Sequence, residues 1–328
     1  MAGKTMHAFQ YKSYGGGAAS LEYVEIPIPS PKNDEVLIKV EAASINPADW
    51  KIQSGMLRPF LPPKFPFIPV TDITGEIVEI GSDVNTFKAG DKVLCKLKFW
   101  KGCGLAEYAV APVSFTVHRP PEVSPVEAAG LPIAALTALH ALKCIGTKFD
   151  GTGKSANILI TAASGGVGSY AVQLAKLGNL HVTATCGARN LELVKNLGAD
   201  EVLDYKTTEG ASLRSPSGKQ YDYIINCAYG TGWSTFEPNL SAEGKVIDVA
   251  PGLQSFLTSL LNLVTFSRKK LVPISLALGK EDLKFLVELV KEGKLKTVVD
   301  SRHPFEKADE AWARSMDGHA SGKVIIEM

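Results

Sequence analysis

Short runs of alternating apolar and polar residues dominate the first part of the chain, residues 1–122. Alternation with a period of two is typical of half-buried β-strands. Glycine and proline separate the runs, and short strands divided by such turns predict a barrel-like β domain. The predicted strands lie near residues 36–42, 73–81, 87–94 and 106–110.

A different pattern begins at residue 123, where apolar runs of strand length alternate with helical stretches. Six strands connected in this way predict an α/β fold with a doubly wound, parallel six-stranded sheet. Two of the connecting helices are expected at residues 190–197 and 233–240. The strands are expected at residues 157–162, 181–186, 201–205, 223–228, 245–250 and 271–275.

The end of the chain resembles its beginning more than its middle, with a helix at 281–292 followed by a terminal strand at 323–327. We therefore predict that residues 1–122 and 277–328 form one domain. A dinucleotide-binding domain of residues 123–276 is inserted into it. The active site is expected in the cleft between the two domains, because ligand sites often lie at such interfaces.

A small-residue turn after the first strand of the middle region is the most informative segment. It matches the pattern G-x-G-x-x-G, with Ala163 in place of the first glycine. Glycines let the backbone approach a pyrophosphate, and a helix N-terminus offers free N–H groups. The strand before the turn and the helix after it make the match more specific. The predicted pyrophosphate contacts are Ala163, Ser164, Gly165, Gly166, Val167 and Gly168.

The end of the next strand predicts which dinucleotide binds. An NAD enzyme usually has Asp or Glu there, whereas this chain has Cys186 followed by Gly187, Ala188 and Arg189. Arg189 can pair with a 2′-phosphate, and charge-assisted bonds contribute about 1.5–3 kcal/mol each. The cofactor is therefore predicted to be NADPH. The alternative is that Arg189 is a solvated residue at the start of the next helix.

Composition narrows the class of protein. A hydrophobic content of 45% and a charged content of 21% are typical of a globular enzyme with a sizeable core. The net charge of +1 argues against a nucleic-acid-binding protein. Five scattered cysteines favour a reducing compartment. The apolar stretch at 253–266 is too short to span a membrane, and predicts a buried helix or a surface that touches substrate or membrane.

Several motifs together resemble the medium-chain dehydrogenase/reductase superfamily, in its zinc-free quinone oxidoreductase branch. They lie at residues 44–51, 75–81, 87–93, 131–139, 163–168 and 197–205. The resemblance implies a GroES-like barrel domain with an inserted Rossmann domain. It also implies NADPH-dependent reduction of the C=C bond of α,β-unsaturated carbonyls, or of quinones. A weakly catalytic NADPH-binding protein is the alternative from another functional class.

Other segments resemble plant chloroplast members of this branch, and they lie at residues 150–154, 186–190, 236–240 and 317–320. This resemblance implies a peripheral protein of the inner chloroplast envelope, with a cytoplasmic location as the alternative. The N-terminus has neither an apolar signal core nor an amphipathic leader, so we expect no cleavable transit peptide. The family also implies a homodimer formed through the edge strand at 271–275, since an unpaired edge would otherwise be exposed.

A catalytic zinc ion is not expected. Zinc usually has three protein ligands from Cys, His or a carboxylate. Where zinc-dependent relatives place Cys and His, this chain has Asn46 and Thr71, and residues 131–136 contain neither Cys nor His. The six histidines form no ligand-like spacing.

The resemblance places Asn46 and Lys51 in a loop over the nicotinamide. An ammonium at Lys51 would stabilise the enolate that forms on the carbonyl oxygen, and Asn46 would bond the carbonyl or the cofactor ribose. The alternatives are an exposed Lys51 and a plain turn residue at Asn46. Asp49 is expected to cap the following helix or to pair with Lys51. Water or a ribose hydroxyl is expected to supply the α-proton.

Further contacts follow from the family resemblance and from the ends of the predicted strands. The expected cofactor contacts are Thr137, Cys186, Tyr205, Lys206 and Ala228. Plain packing is the alternative for Thr137, Tyr205, Lys206 and Ala228. Large apolar side chains suit a hydrophobic enone, and the pocket walls are expected at Phe99, Trp100 and Trp233. Ordinary packing or a dimer face is the alternative for each of these three aromatic residues.

Overall fold

The structure is a computed structural model that describes residues 3–274 and 279–328. The chain divides into two compact units, one of Met1–Leu136 with Gly279–Met328 and the other of Thr137–Leu278. The strands of the first unit are β1 Thr5–Gln10, β2 Glu22–Pro27, β3 Glu35–Ile45, β4 Asp72–Ile80, β5 Lys92–Lys96, β6 Tyr108–Pro112, β7 Thr116–His118, β14 Val299–Pro304 and β15 Lys323–Glu327. Its helices are α1 Pro47–Ser54, α2 Pro125–Ala129, α9 Lys280–Lys291 and α10 Ala308–Met316.

Strand β3 is the centre of the first unit. It pairs antiparallel with β4, β6 and β15, and the main sheet runs in the order β14-β15-β3-β4-β5-β7. Both faces of β3 are covered, so most of its side chains are buried, among them Ile38. Ile73 of β4 and Trp312 of α10 belong to the same apolar core. The terminal strand thus joins the sheet formed by the beginning of the chain.

The second unit is a parallel α/β sheet. Its strands are β8 Asn157–Ile160, β9 His181–Cys186, β10 Glu201–Asp204, β11 Tyr221–Asn226, β12 Leu240–Asp248 and β13 Lys270–Pro273. The helices are α3 Leu136–Cys144, α4 Gly166–Leu177, α5 Leu191–Asn196, α6 Thr208–Ala211, α7 Trp233–Phe236 and α8 Leu253–Val264. The strands lie in the order β10-β9-β8-β11-β12-β13 with every pairing parallel. The predicted doubly wound, six-stranded fold is confirmed.

The first boundary between the units lies at residue 136 instead of the predicted 122. Although helical patterning begins near residue 123, helix α2 and the following π-turn Leu131–Ala135 pack against β3 and β4. Because this segment packs on the sheet of the first unit, it belongs to that unit. The second predicted boundary, at 276/277, lies outside the described residues, as does Ser275 of the predicted edge strand.

The predicted helix at 233–240 is shorter than expected. Helix α7 ends at Phe236, a 3₁₀ turn follows over Glu237–Asn239, and Leu240 opens β12. Pro238 lies in that turn and lacks the backbone N–H that an α-helix would use there.

Helix α8 lies on the surface of its unit, so the buried alternative for this apolar stretch is wrong. Leu253 and Leu261 are 78% and 62% exposed. Asn262 is the buried residue of the helix, and its side-chain oxygen accepts a hydrogen bond from the backbone N–H of Leu271 at 3.0 Å. This bond attaches α8 to β13. Within the described ranges, helices fall short of the length and apolarity that crossing a membrane requires.

Candidate active site

The first turn of α1 begins directly after the central strand β3. Asn46 is the N-cap residue and Pro47 occupies the first helical position, where the absence of an N–H has no cost. The carboxylate of Asp49 accepts a hydrogen bond from the Asn46 backbone N–H at 2.7 Å. Asp49 thus lies at the third position of the helix and contributes to its N-terminal cap through this bond, although Asn46, and not Asp49, is the N-cap residue.

The side chain of Asn46 binds two charged residues. Its Nδ2 donates to Asp72 Oδ2 at 2.8 Å, and its Oδ1 accepts from Lys323 Nζ at 2.6 Å. Asn46 is 3% exposed. Asn46 is therefore more than a turn residue, because its amide joins a carboxyl group and an ammonium inside the first unit.

Lys51 lies on α1 with 8% of its surface exposed. Its Nζ is 5.4 Å from the centre of the Trp50 ring. Burial lowers the pKa of Lys51 from 10.5 to about 8, because desolvation disfavours the ammonium. The alternative of an exposed surface lysine is therefore wrong. A partly desolvated ammonium that is still protonated at neutral pH is a strong hydrogen-bond donor.

Two buried carboxyl groups lie beside the Asn46 amide. Burial is the largest cause that raises the pKa of Asp49 to about 7 and that of Asp72 to about 6. The neighbouring Asp72 raises the pKa of Asp49 further, whereas Lys323 lowers the pKa of both. Asp72 Oδ2 also accepts from the Ile133 backbone N–H at 3.1 Å. The two carboxyl groups thus change their protonation near neutral pH.

Sequence reasoning missed Lys323. Its only local signal is a lysine at the start of an otherwise apolar strand, and 277 positions separate it from Asn46. The pairing of β15 with β3 brings the two together, since Val324 lies opposite Ile45. Lys323 is 3% exposed.

The residues at this position do not fit a zinc ion. The amide of Asn46 and the hydroxyl of Thr71 stand where zinc ligands would be needed, and the Lys323 ammonium already binds Asn46. A buried ammonium there repels a second cation. In the part of the chain that the structure describes, His, Cys, Asp and Glu side chains form no cluster of three suited to a metal.

The glycine-rich turn of the second unit fits a dinucleotide pyrophosphate. Gly168 lies so close to the preceding turn that an added Cβ would be 2.3 Å from the Ala162 carbonyl oxygen. This contact explains why a glycine is needed there. Ala163 is fully buried, and its N–H donates to the Thr185 carbonyl at 2.8 Å. The turn leads into the N-terminus of α4, where N–H groups and the helix dipole favour an anion.

The ends of β9 and β10 bring three of the predicted cofactor residues side by side. The Tyr205 N–H donates to the Cys186 carbonyl at 3.1 Å. Tyr205 is 46% exposed, and Lys206 Nζ lies 5.9 Å from the centre of its ring. Arg189 is exposed in a 3₁₀ turn before α5. The segment 186–190 contains no carboxylate that would repel a 2′-phosphate.

Other predicted cofactor contacts occupy different parts of the second unit. Ala228 follows β11, and its N–H donates to the Thr161 hydroxyl at 3.2 Å, next to the point where the strand order reverses. Thr137, in α3, is buried at 3% exposure. Ligands of open α/β sheets bind beside such a switch point, outside the carboxyl ends of the strands.

The three predicted pocket aromatics are divided between the units. Phe99 and Trp100 follow β5 in the first unit, where the Phe99 ring lies 4.8 Å from Lys96 Nζ and Trp100 is 57% exposed. Trp233 opens α7 in the second unit and packs against the apolar cluster that contains Phe236. The packing alternative therefore describes Trp233, and a role of all three in substrate binding stays a prediction.

Comparisons with known proteins agree with this architecture. Residues 32–121 match the family described as alcohol dehydrogenase GroES-like domain, and residues 197–326 match the family described as zinc-binding dehydrogenase. The chain is 64% identical over 328 residues to the chloroplast envelope quinone oxidoreductase homolog of Arabidopsis thaliana, covering 100% of both chains. It is 33% identical to the chloroplastic NADPH-dependent alkenal/one oxidoreductase of the same plant, over 98% of this chain and 80% of that protein.

Among solved structures, the quinone oxidoreductase from Coxiella burnetii superposes with a TM-score of 0.85 at 29% identity. The superposition covers 99% of this chain and 100% of that one. Full-length identity above 60%, the two family matches and the shared fold lead to one conclusion. The chain belongs to the medium-chain dehydrogenase/reductase superfamily, in its quinone oxidoreductase-like branch, and is an NAD(P)H-dependent oxidoreductase.

Proposed function

We propose that the protein reduces the C=C bond of α,β-unsaturated carbonyls, enones and enals, with NADPH and without a metal ion. The observation that carries this proposal is Lys51, a largely buried ammonium on α1 whose pKa is lowered to about 8. The similarity to an NADPH-dependent alkenal/one oxidoreductase supports the same substrate class.

The reaction requires a hydride, a group that stabilises negative charge on the carbonyl oxygen, and a proton. NADPH, when bound, supplies the hydride to the β-carbon of the substrate. As the hydride arrives, negative charge develops on the carbonyl oxygen, and a preorganised donor stabilises that charge. We assign this donor to Lys51, because its ammonium is already partly removed from water. The α-carbon then takes a proton from water or from a ribose hydroxyl.

The preference for NADPH over NADH is assigned to the ends of β9 and β10. Arg189 and Lys206 supply positive charge in the segments that follow these strands, and the centre of the Tyr205 ring lies 5.9 Å from Lys206 Nζ. No acidic residue of segment 186–190 opposes a phosphate. Paired guanidinium and phosphate groups form bidentate bonds, so Arg189 is expected to contribute more than Lys206.

Quinone reduction is the second candidate, and the names of the full-length relatives favour it. A quinone also accepts hydride and develops charge on an oxygen, so the same donor would serve. The two substrates are distinguished by rate. Fast NADPH-only oxidation with a medium-chain vinyl ketone or a 2-alkenal, giving the saturated carbonyl, supports enone reduction. Turnover with a quinone alone moves the function to quinone reduction, and tight NADPH binding without turnover favours the non-catalytic alternative.

We further propose that the protein is a homodimer and that it is located in the chloroplast. The name of its Arabidopsis relative supports the location. Strand β13 is the outermost strand of the second sheet, and the adjoining helix α8 exposes Leu257, Leu260 and Leu261 to more than half of their surface. Contact with a membrane surface at the inner envelope is the alternative use of this apolar face. Light scattering of Leu260→Asp, against Gln254→Asp as control, tests the dimer. Co-sedimentation of the unaltered protein with anionic vesicles tests the alternative.

A further inference from the structure

Helix α1 is held at both of its ends by buried polar side chains. At its N-terminus, Asn46 lies between Asp72 and Lys323. At its C-terminus, the Gln53 side-chain oxygen accepts from Trp312 Nε1 at 3.0 Å, and its Nε2 donates to the Gly17 carbonyl at 2.9 Å. Lys51 lies between these two attachments, so the hydrogen bonds of Asn46 and Gln53 determine where the Lys51 side chain is placed.

Lys323 is the cationic partner in the N-terminal attachment. Burial lowers the pKa of Lys323, whereas the nearby carboxyl groups of Asp72 and Asp49 act against this shift and favour the ammonium. Its Nζ is 2.6 Å from Asn46 Oδ1 and 3.5 Å from the Ile45 carbonyl oxygen. The Asn46 amide has one acceptor and one donor end, and it binds the ammonium with the first and the Asp72 carboxylate with the second. Both partners are needed to define which way the amide points.

We propose that Lys323 is a positioning residue for the reaction, and that its buried ammonium, acting through Asn46, holds the first turn of α1 in the orientation that Lys51 requires. The inference rests on the proposed function of Lys51.

The surrounding charges explain why a neutral side chain would not serve. Asp49 faces the ammonium from α1 and Asp72 faces it from β4, while Cys95 and Lys96 approach Asp72 from β5. Without Lys323, the two buried carboxyl groups would lose the cation that lowers both of their pKa values. Both carboxyl groups would then be protonated over a wider pH range, and Asn46 Oδ1 would lose the hydrogen bond that Lys323 donates to it.

The experiment compares Lys323→Gln and Lys323→Arg with the exposed control Lys307→Gln. The Gln variant should lower kcat for the enone by about 10- to 100-fold, since small misplacements of a catalytic group have effects of this size. The KM for NADPH should change much less than kcat, because the residues predicted to bind the pyrophosphate and the 2′-phosphate belong to the second unit. Lys323→Arg keeps the charge and should recover part of the rate. Equal rates in the Gln and Arg variants and the unaltered protein would overturn the proposal.

A double-mutant cycle and carboxyl titration separate positioning from mere stability. If Lys323 acts through Asn46, the Gln variant should have little further effect on kcat in an Asn46→Ala background. Additive effects would contradict the inference. NMR of ¹³C-labelled aspartate should show higher pKa values for the buried carboxyl groups in Lys323→Gln, and unchanged values would also overturn it. This readout does not depend on the enone assay. Failure of Lys51→Met to change turnover would instead refute the role of Lys51, and absence of enone turnover in the unaltered protein would overturn the proposed function.

Discussion

Replacement of Lys51 by methionine tests the proposed chemistry most directly. Methionine has a similar length but neither charge nor hydrogen-bond donors. Lys51 is 8% exposed, so its bond to a developing enolate would form largely away from water. Loss of one donor of this kind lowers kcat by about 10²–10³, or about 2.7–4 kcal/mol of transition-state stabilisation. We expect a decrease of that size for enone reduction with NADPH affinity retained.

The pH dependence gives a second signature of the same residue. With a pKa of about 8, Lys51 is protonated in roughly nine-tenths of the molecules at pH 7 and in about one-tenth at pH 9. Turnover that needs the ammonium should therefore fall about tenfold between these two pH values. Lys51→Arg keeps its proton throughout, so this alkaline decrease should disappear in that variant.

Stability measurements distinguish lost chemistry from lost structure. The folded-state pKa of Lys51 lies below its ordinary value of 10.5, so burial disfavours its charged form in the folded state. The resulting destabilisation is present at neutral pH and decreases as the pH rises from about 8 towards 10.5. Lys51→Met should therefore melt no lower than the unaltered protein at pH 7, and its stability should not rise over this alkaline range.

The assay measures NADPH oxidation against a vinyl ketone over pH 6–10, with Lys64→Met as the control for the exchange of a lysine. Lys64 is exposed in the loop that follows α1, and its replacement should leave the rate unchanged. An unaltered kcat and pH profile in Lys51→Met would refute the assignment of Lys51 as the donor. A lower melting temperature accompanied by the same loss of rate would point to a structural effect.

Three further changes have defined outcomes. Arg189→Ala should raise the KM for NADPH by about one to two decades and leave the KM for NADH unchanged, because one charge-assisted contact is lost. Steady-state kinetics with both cofactors measure these two values, and an equal increase in both would contradict the prediction. Gly168→Ala should destabilise the protein by about 1–3 kcal/mol, because its Cβ would lie 2.3 Å from a carbonyl oxygen. The matched control Gly252→Ala meets no atom within 4 Å, so equal melting temperatures of the two variants would argue against this reasoning. Burial raises the folded-state pKa of Asp49 to about 7, so its contribution to stability is present below pH 4 and is lost as the pH rises through 7. Denaturant unfolding should show a smaller decrease of stability with pH in Asp49→Asn than in the unaltered protein. Parallel pH profiles of the two proteins would exclude this role of Asp49.

The six parallel strands of the second unit and its dinucleotide turn could be predicted from the sequence because their signals are local. Strand periodicity and the spacing of Gly165 and Gly168 depend on neighbouring residues and on backbone sterics, and both are visible in a short window. The helix predicted at 233–240 ends early at Phe236, because Pro238 in the following turn cannot donate a helical hydrogen bond. The boundary at residue 136 depends on which unit α2 packs against, and that contact is not local.

Local patterns in the sequence predict the fold class and the dinucleotide turn, and the family resemblance predicts that the segment with Asn46 and Lys51 is functional. The folded chain alone shows that Lys51 is buried and that the Asn46 amide is bound at both ends. It also decided that Lys323 joins them, across 277 positions, through the pairing of β15 with β3. Desolvation and charge pairing depend on neighbours that the folded chain brings together, and these neighbours set the pKa values and orientations on which the chemistry depends.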